Sequence, residues 1–134
     1  MLTEKIKTGP KDFTLINFFA TWCKPCRKEM PELVVMGNNP EKKLNLILIS
    51  IDEPEKIKTD LPAYLGNVGV DYESFFISAE HGNFVRGFFP GWNGRIPLSL
   101  LYAKNGEQIS VIEGITSTEE IEMLIHKYET TRGQ

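Results

Sequence analysis

The feature that most constrains this chain is a pair of cysteines, Cys23 and Cys26, directly after a run of apolar residues. The run extends from Phe13 to Phe19 and is apolar at nearly every position, which is typical of a strand that is covered on both faces. A helical pattern follows from about residue 24 to Gly37. Pro25 suits the first turn of that helix, because its missing N–H leaves no hydrogen bond unmade there. A Cys-x-x-Cys pair at a strand-to-helix junction is typical of redox chemistry.

Two other interpretations of the pair are open: a structural disulfide and half of a zinc site. A structural zinc ion takes about four ligands, and the chain offers only His81 and His126 as further soft candidates. Both histidines are more typical of surface positions than of metal sites. We therefore favour redox chemistry and expect no metal and no bound cofactor, since the cysteines themselves carry the electrons.

The composition limits the class of protein. The chain has 134 residues, of which 41% are hydrophobic and 25% charged, as in a soluble globular domain. A net charge of −3 argues against nucleic acid or an anionic membrane as the main partner. No apolar run reaches the ~18 to 20 residues of a membrane span, and residues 1–7 lack the apolar core of a signal peptide. We expect one domain over residues 1–134, with its core at about 13–128, either cytosolic or cut from a longer exported protein.

The remaining pattern predicts a mixed α/β order. Leu44 to Ile51 forms a second strand, and strand, helix and strand with short links imply a right-handed parallel unit. Pro31 should kink the first helix, and Pro62 should split the second. Next come a helix from Glu53 to Gly66, with Asp60 capping its second piece, and a strand from Tyr72 to Ile77. A helix from Ala79 to Phe89 should bury Phe84, Val85 and Phe88.

The last part of the chain predicts a hairpin and a helix. The strands run from Leu98 to Ala103 and from Gln108 to Glu113, joined by an Asn105-Gly106 turn. The last helix begins at Ser117, with Glu120 in a capping box, and frays from Thr130.

This order, with a Trp-Cys-x-x-Cys motif after the first strand and Ile-Pro before the hairpin, resembles the thioredoxin fold. The resemblance implies a three-layer α/β fold, with a mixed central sheet and helices on both faces. Within that superfamily the chain resembles the TlpA/ResA-like thiol-disulfide oxidoreductases, which are mostly exported or membrane-anchored bacterial proteins. The matching positions are Trp22, Cys23, Pro25, Cys26, Arg27, Glu29, Met30 and Pro31. Asn17 stands where classical cytosolic thioredoxins have an acidic residue, and Asn is common there in the TlpA-like group.

The two cysteines are expected to have different roles. Cys23 begins a helix, where the helix dipole and the free backbone N–H groups favour its thiolate. Lys24 adds a positive charge beside it. Lowering a thiol pKa from ~8.5 to ~7 corresponds to about 2 kcal/mol of preference for the anion. We therefore expect Cys23 to be exposed and to attack, and Cys26 to be buried and to resolve the mixed disulfide.

The resemblance also implies a substrate-binding surface. By resemblance to the thioredoxin fold, Pro97 is expected to be a cis proline that faces the cysteines, and the backbone of Ile96-Pro97 is expected to pair with a substrate peptide. An ordinary trans proline that opens an edge strand is the alternative. Trp22, Lys24 and Pro25 are expected to complete the surface. For Trp22 the alternative is a plain core aromatic.

Two polar residues are candidates for supporting roles. Glu29 lies three residues after Cys26, and in the resembling group an acidic residue here tunes the pKa values of the cysteines. A partly buried carboxylate could shuttle the proton of Cys26, whereas the alternative is a solvated glutamate on the helix surface. Asn17 is expected either to form a hydrogen bond under the site or to be an ordinary satisfied strand residue.

The sequence thus predicts a thiol-disulfide oxidoreductase that reduces partner proteins and is recharged by a separate thiol donor. A disulfide-forming oxidase or isomerase is an alternative, because reduction potentials in the superfamily span ~150 mV, or about 7 kcal/mol. A non-catalytic binding module and a metallochaperone are others. A peroxidase is disfavoured, because the chain has no lone peroxidatic cysteine preceded by the Thr and Pro that peroxiredoxins place near it. We expect a monomer in the periplasm or another extracytoplasmic compartment, with the cytoplasm as the alternative.

Overall fold

The computed structural model of the chain describes residues 6–7, 10–39, 41–69, 75–76 and 81–132. The strands are β1 (Phe13–Phe19), β2 (Leu44–Ser50), β3 (Phe75–Phe76), β4 (Leu98–Ala103) and β5 (Gln108–Glu113), and the helices are α1 (Lys24–Asn38), α2 (Pro54–Asn67), α3 (His81–Arg86) and α4 (Thr118–Arg132). No helix within these ranges is long and apolar enough to cross a bilayer.

The sheet places β1 at its centre, in the order β3-β2-β1-β4-β5. β1 is parallel to β2 and antiparallel to β4, while β5 returns antiparallel to β4. Phe19 at the end of β1 lies opposite Ser50 at the end of β2, and Phe18 lies opposite Leu98 at the start of β4. The residues that follow β1 and β2 and those that precede β4 therefore meet at one end of the sheet, which we call the cysteine end.

Alternate residues of β1 face two different layers, as the period of a strand requires. On one face the ring of Phe13 meets Tyr128 of α4 at 5.9 Å, and Asn17 bonds to Glu29 of α1. On the other face Phe18 packs 6.4 Å from Phe88, which follows α3. All seven residues of β1 are buried. The predicted mixed central sheet with helices on both faces is confirmed.

Prolines inside the helices do not end them. α1 continues through Pro31 to Asn38, and α2 continues through Pro62 to Asn67. The expected split of α2 is wrong. A single proline removes one backbone hydrogen bond, and the apolar side of this helix is held in place because Leu61 and Tyr64, on either side of the exposed Pro62, are both buried.

The segment that precedes Ile96-Pro97 is less helical than predicted. α3 covers only His81–Arg86, whereas Ala79 and Glu80 lie outside the described residues. Val85 is fully buried, as expected, but Phe84 is 38% exposed and the prediction that it is buried is wrong. So short a helix directs few side chains into the core, and Phe84 instead meets the ring of Phe88 at 5.4 Å. Of the predicted strand from Tyr72 to Ile77, only Phe75–Phe76 is described, and it forms β3.

The hairpin and the last helix agree well with the sequence pattern. Gly106 adopts a φ of +96° in the turn between β4 and β5. The Ser117 hydroxyl accepts the backbone N–H of Glu120 at 3.1 Å, which confirms the Ser117 half of the predicted capping box. The Glu120 carboxylate accepts a hydrogen bond from the Thr116 hydroxyl. The helix extends to Arg132, two residues beyond the position where fraying was expected to begin.

Candidate active site

The two cysteines form a disulfide at the first turn of α1, with their Cα atoms 5.3 Å apart. Cys23 is the N-cap residue, and its Sγ accepts the backbone N–H of Cys26 at 3.2 Å. The backbone N–H of Cys23 in turn donates to Ala20 at 3.1 Å, which closes the loop after β1. A sulfur in this position lies where the helix dipole and a backbone donor both favour negative charge.

The cysteines differ in accessibility in the expected order, and Cys26 is buried as expected, but Cys23 is more buried than expected. Cys23 is only 4% exposed and Cys26 is not exposed at all. The expectation of an openly exposed Cys23 is therefore wrong for the disulfide form. The reason is that Cys23 Sγ lies against the protein, 3.9 Å from the carbonyl oxygen of Ile96.

The segment opposite the disulfide contains the cis bond that the resemblance implies. The peptide bond between Ile96 and Pro97 is cis. Pro97 is buried and its carbonyl accepts the backbone N–H of Gly114 at 2.9 Å, while Ile96 is half-buried. The start of β4 and the end of β5 are thereby joined beside Cys23.

The other predicted substrate-binding residues lie on the surface. Trp22 is 62% exposed, so the alternative of a core aromatic is wrong for this residue. Lys24 and Pro25, in the first turn of α1, are also exposed. Together with the half-buried Ile96, these aromatic, charged and aliphatic side chains lie beside Cys23, the cysteine that remains slightly accessible.

Glu29 is buried rather than solvated. It is 2% exposed, and its carboxylate accepts the Thr116 backbone N–H at 3.0 Å and the Asn17 amide at 2.8 Å. Asn17 also donates to Ser99 at 2.9 Å, which confirms the hydrogen bonding that was one of its two predicted roles. Burial raises the pKa of the Glu29 carboxyl, and the two donated hydrogen bonds only partly oppose this. Such a carboxyl takes up a proton at higher pH than a solvated glutamate does, as a proton acceptor for a thiol must.

A second buried carboxylate at the cysteine end was not anticipated from the sequence. Asp52, two residues beyond β2, accepts the Thr21 backbone N–H at 2.9 Å and the Thr21 hydroxyl at 2.7 Å. Ser50 also donates its hydroxyl to Asp52. Thr21 lies two residues beyond β1, so the signal was present: polar residues directly follow the carboxyl ends of two neighbouring parallel strands.

Arg27 contacts residues 20–23, the segment between β1 and α1. Its guanidinium donates to the carbonyl of Thr21 at 2.9 Å and lies 5.1 Å from the centre of the Tyr64 ring. Burial raises the pKa of the Tyr64 hydroxyl, with the Arg27 charge opposing the shift. Within the ranges that the structure describes, no three His, Cys, Asp or Glu side chains are grouped as metal ligands. His126 is exposed on α4, and the side chain of His81 lies outside the described part.

Comparison with known proteins places this site in a family. The AhpC/TSA family model matches residues 4–72, about half of the chain. The chain belongs to the AhpC/TSA family. This AhpC/TSA member is similar to the thiol-disulfide oxidoreductase ResA of Bacillus thuringiensis subsp. konkukian, with 32% identity over 133 residues that cover 92% of the chain and 70% of the relative. ResA of Bacillus cereus is 31% identical over 114 residues, 84% of the chain, and the chain spans only 61% of the length of that relative.

A solved structure supports the fold of this AhpC/TSA chain. A thiol:disulfide interchange protein of the thioredoxin family from Chlorobium tepidum superimposes with a TM-score of 0.74 at 24% identity, covering 93% of this chain and 83% of the other. The predicted membership of the thioredoxin superfamily, close to the TlpA/ResA-like group, is confirmed.

Proposed function

We propose that this protein is a thiol-disulfide oxidoreductase that reduces disulfides of partner proteins through the Cys23–Cys26 pair. The observation that carries the proposal is the position of Cys23 Sγ, which accepts the Cys26 N–H at 3.2 Å and lies 3.9 Å from the carbonyl of Ile96, next to cis-Pro97. Activation of the sulfur and a backbone segment that could pair with a peptide are thus brought together. The similarity to proteins named thiol-disulfide oxidoreductase supports the same conclusion.

The reaction consists of two thiolate exchanges. The Cys23 thiolate attacks one sulfur of the partner's disulfide, and a Cys23–partner bond forms as the other partner sulfur leaves as a thiolate. The Cys26 thiolate then attacks Cys23 Sγ, which forms the Cys23–Cys26 disulfide and releases the second partner sulfur. Two electrons pass to the partner, whose two thiolates take up the protons. A separate dithiol donor returns two electrons and two protons to the pair.

The helix start accounts for the choice of Cys23 as the attacking sulfur. For a thiol in general, a pKa lowered from ~8.5 to ~7 raises the thiolate fraction at pH 7 from roughly 3% to roughly 50%, and a helix N-terminus favours such a shift. Cys26 lacks exposure, so a partner's sulfur reaches Cys23 first. In this scheme Glu29 accepts the proton of Cys26 before the second exchange, and its burial and raised pKa suit it to that role.

Partner docking in this proposal uses the residues around Cys23. A peptide on either side of the target disulfide pairs with the backbone at Ile96-Pro97, while Trp22, Lys24 and Pro25 contact it from the other side of the sulfur. The exposure of Trp22 supports this, because a tryptophan that is 62% exposed has apolar area to bury against a partner. No nucleic acid, metal or bound cofactor takes part.

The resemblance supports one direction of electron flow and one compartment for the proposal. Reduction of partner proteins outside the cytoplasm is the proposal, with the protein acting as a monomer. Disulfide formation or isomerisation is the alternative activity, a non-catalytic binding module is the alternative role, and the cytoplasm is the alternative location.

Trapping of the mixed disulfide tests the proposal. In Cys26→Ser the second exchange is blocked, so partners should accumulate on Cys23 and be released by dithiothreitol. Cys23→Ser is the matched control, because it retains one cysteine but loses the attacking one. Comparison of extracytoplasmic and cytoplasmic fractions locates the partners. Equal yields from the two variants would overturn the mechanism, and a Cys23→Ser protein that still performs its cellular role would favour the binding module.

A further inference from the structure

The carboxylate of Asp52 has no part in the exchange reaction described above, yet it is only 2% exposed at the cysteine end of the sheet. A buried charge is costly unless hydrogen bonds compensate it. Asp52 Oδ1 accepts the backbone N–H and the hydroxyl of Thr21 at 2.9 and 2.7 Å, and Oδ2 accepts the same N–H at 3.1 Å. The Ser50 hydroxyl donates to Oδ2, and the Asp52 backbone N–H donates back to Ser50 at 3.0 Å.

These bonds begin where the backbone pairing of β1 and β2 stops. The Ile51 N–H donates to the Phe19 carbonyl at 2.8 Å, one step beyond the paired residues. The chain after β1 then turns away toward α1, so its next groups need other partners. Asp52 supplies them with its side chain, and in doing so ties the end of β2 to Thr21.

Thr21 is consequently held at three atoms. Asp52 binds its backbone nitrogen and its hydroxyl, and Arg27 donates to its carbonyl oxygen at 2.9 Å. The next residue, Trp22, is 62% exposed, and the one after it is Cys23. Thr21 is therefore the last firmly buried residue before the attacking sulfur, and its position limits where that sulfur can lie.

We infer that Asp52 is a positioning residue for the exchange reaction: through Thr21 it keeps Cys23 Sγ in reach of the Cys26 amide and the Ile96 carbonyl. The inference rests on the proposed function for its consequence in the reaction, but the positioning itself can be measured on Cys23 alone. Asp52 acts on the sulfur only through Thr21.

Geometry and charge predict opposite effects, which makes the inference testable. If Asp52 acts by position, loss of its bonds loosens the contact of Cys23 with the Cys26 N–H, raises the pKa of the Cys23 thiol and slows its reaction. If Asp52 acts only as a nearby negative charge, its neutralisation lowers that pKa and speeds the reaction.

Four variants separate the two effects. Thr21→Val removes the hydroxyl donor while keeping the shape and the charge of Asp52. Asp52→Asn removes the charge while keeping the volume. Thr21→Ser retains both donors and should restore the parent behaviour. Ser50→Ala is the matched control, because it removes a donor from the same carboxylate without touching Thr21.

The measurement is the rate of Cys23 alkylation by iodoacetamide against pH, in the reduced Cys26→Ser background. At pH 7 we expect Thr21→Val and Asp52→Asn to react about three- to tenfold more slowly than the parent, with the pH midpoint displaced upward. Thr21→Ser and Ser50→Ala should stay within about twofold of the parent. Faster alkylation of Asp52→Asn, or equal effects of Ser50→Ala and Thr21→Val, would overturn the inference.

Two further measurements, of folding and of insulin reduction, accompany the alkylation profile. Circular dichroism checks folding, and should Asp52→Asn not fold, the comparison of Thr21→Val with Thr21→Ser decides alone. The parent's ability to reduce insulin is recorded separately. Failure to reduce insulin would count against the proposed function, whereas the alkylation profile would still decide the role of Asp52.

Discussion

Glu29 shows how a single residue links the site to the folded state. Its carboxylate is removed from water and receives two donors, one from the strand residue Asn17 and one from the backbone of Thr116 before α4. Asn17 Oδ1 has no hydrogen-bond partner within the described part of the chain. Asn17 Oδ1 could therefore accept a further hydrogen bond. If Gln replaced Glu29, rotation of the Asn17 side chain would bring this oxygen to the new amide N–H.

The first prediction concerns the pH dependence that this burial imposes. Because the folded pKa of Glu29 is raised, the folded state binds the proton more tightly than the unfolded chain does. Stability of the parent should be highest below the ordinary pKa and fall as pH rises through the folded value. Glu29→Gln cannot titrate, so its stability relative to the parent should grow over that window, by about 1.4 kcal/mol for each unit of pKa shift.

Urea unfolding of the oxidised proteins between pH 4 and pH 8 measures this difference, since the paired cysteines do not titrate. Glu32→Gln is the control, because Glu32 lies on the same helix but is exposed. A difference between Glu29→Gln and the parent that does not change with pH would contradict the prediction.

At the scale of single residues, the sequence identified those site residues that lie next to one another in the chain. The cysteines and the adjacent Trp22 could be identified from the spacing of one motif. Thr21 and Asp52 were missed because they are 31 residues apart in the chain and meet only through the register of β1 and β2. The burial of Glu29 was one of two open interpretations, because a glutamate in a helix is usually solvated and only packing against the sheet excludes water here.

At the scale of the elements, β1, β2 and β4 were predictable because burial on both faces produces continuous apolar runs, and β5 because the Asn105-Gly106 turn marks the return strand of a hairpin. β1, β4 and β5 have the predicted bounds, and β2 ends one residue early. The second helix was misjudged at Pro62, where tertiary packing outweighs a local preference. The region of α3 was misjudged because its apolar residues could be assigned to a helix or to the loop that follows it.

The second prediction uses two glycines that occupy different elements. Gly106 has a φ of +96° in the β4–β5 turn, whereas a Cβ at Gly66, in the last turn of α2, would meet nothing within 4 Å. Gly106→Ala should therefore destabilise the protein by about 1 kcal/mol, because an L side chain is strained at positive φ. Gly66→Ala should stabilise it by about 0.5 to 1 kcal/mol through a smaller loss of backbone entropy.

Urea unfolding at pH 7 compares both variants with the parent. Each glycine serves as the control for the other, since the atoms added are identical. Besides the backbone conformation, the two sites differ only in that a Cβ at Gly106 would meet the flexible end of the Lys7 side chain at 3.0 Å. Equal effects of the same sign would show that the conformations assigned to the turn and the helix do not govern these positions.

At the scale of the whole molecule, the fold couples the redox state to stability. The disulfide is formed within the native structure at the start of α1. By a thermodynamic cycle, a fold that stabilises the disulfide makes the dithiol a stronger reductant, and a fold that stabilises the dithiol makes the disulfide a stronger oxidant.

The third prediction follows from the proposed reducing direction. The oxidised protein should resist urea better than the reduced protein, by about 1.4 kcal/mol for each 30 mV by which folding lowers the reduction potential. Unfolding with and without dithiothreitol gives the difference, and equilibration with glutathione buffers gives the potential independently. A double variant, Cys23→Ser with Cys26→Ser, should unfold identically in both conditions. Greater stability of the reduced protein would support the disulfide-forming alternative instead.

The central position of β1 has a consequence for the motions that turnover requires. Its backbone groups are bonded on one side to β2 and on the other to β4, so its amide protons should be among the last to exchange with deuterated solvent. Residues 20–23, which lead to Cys23, follow this strand directly, and the hydrogen bonds of Thr21 to Asp52 tie them to the residues after β2. In the proposed reaction, changes of structure would thus be small displacements around Cys23, next to a strand that hardly moves. We do not expect deuterium uptake in β1 to accelerate when the disulfide is reduced.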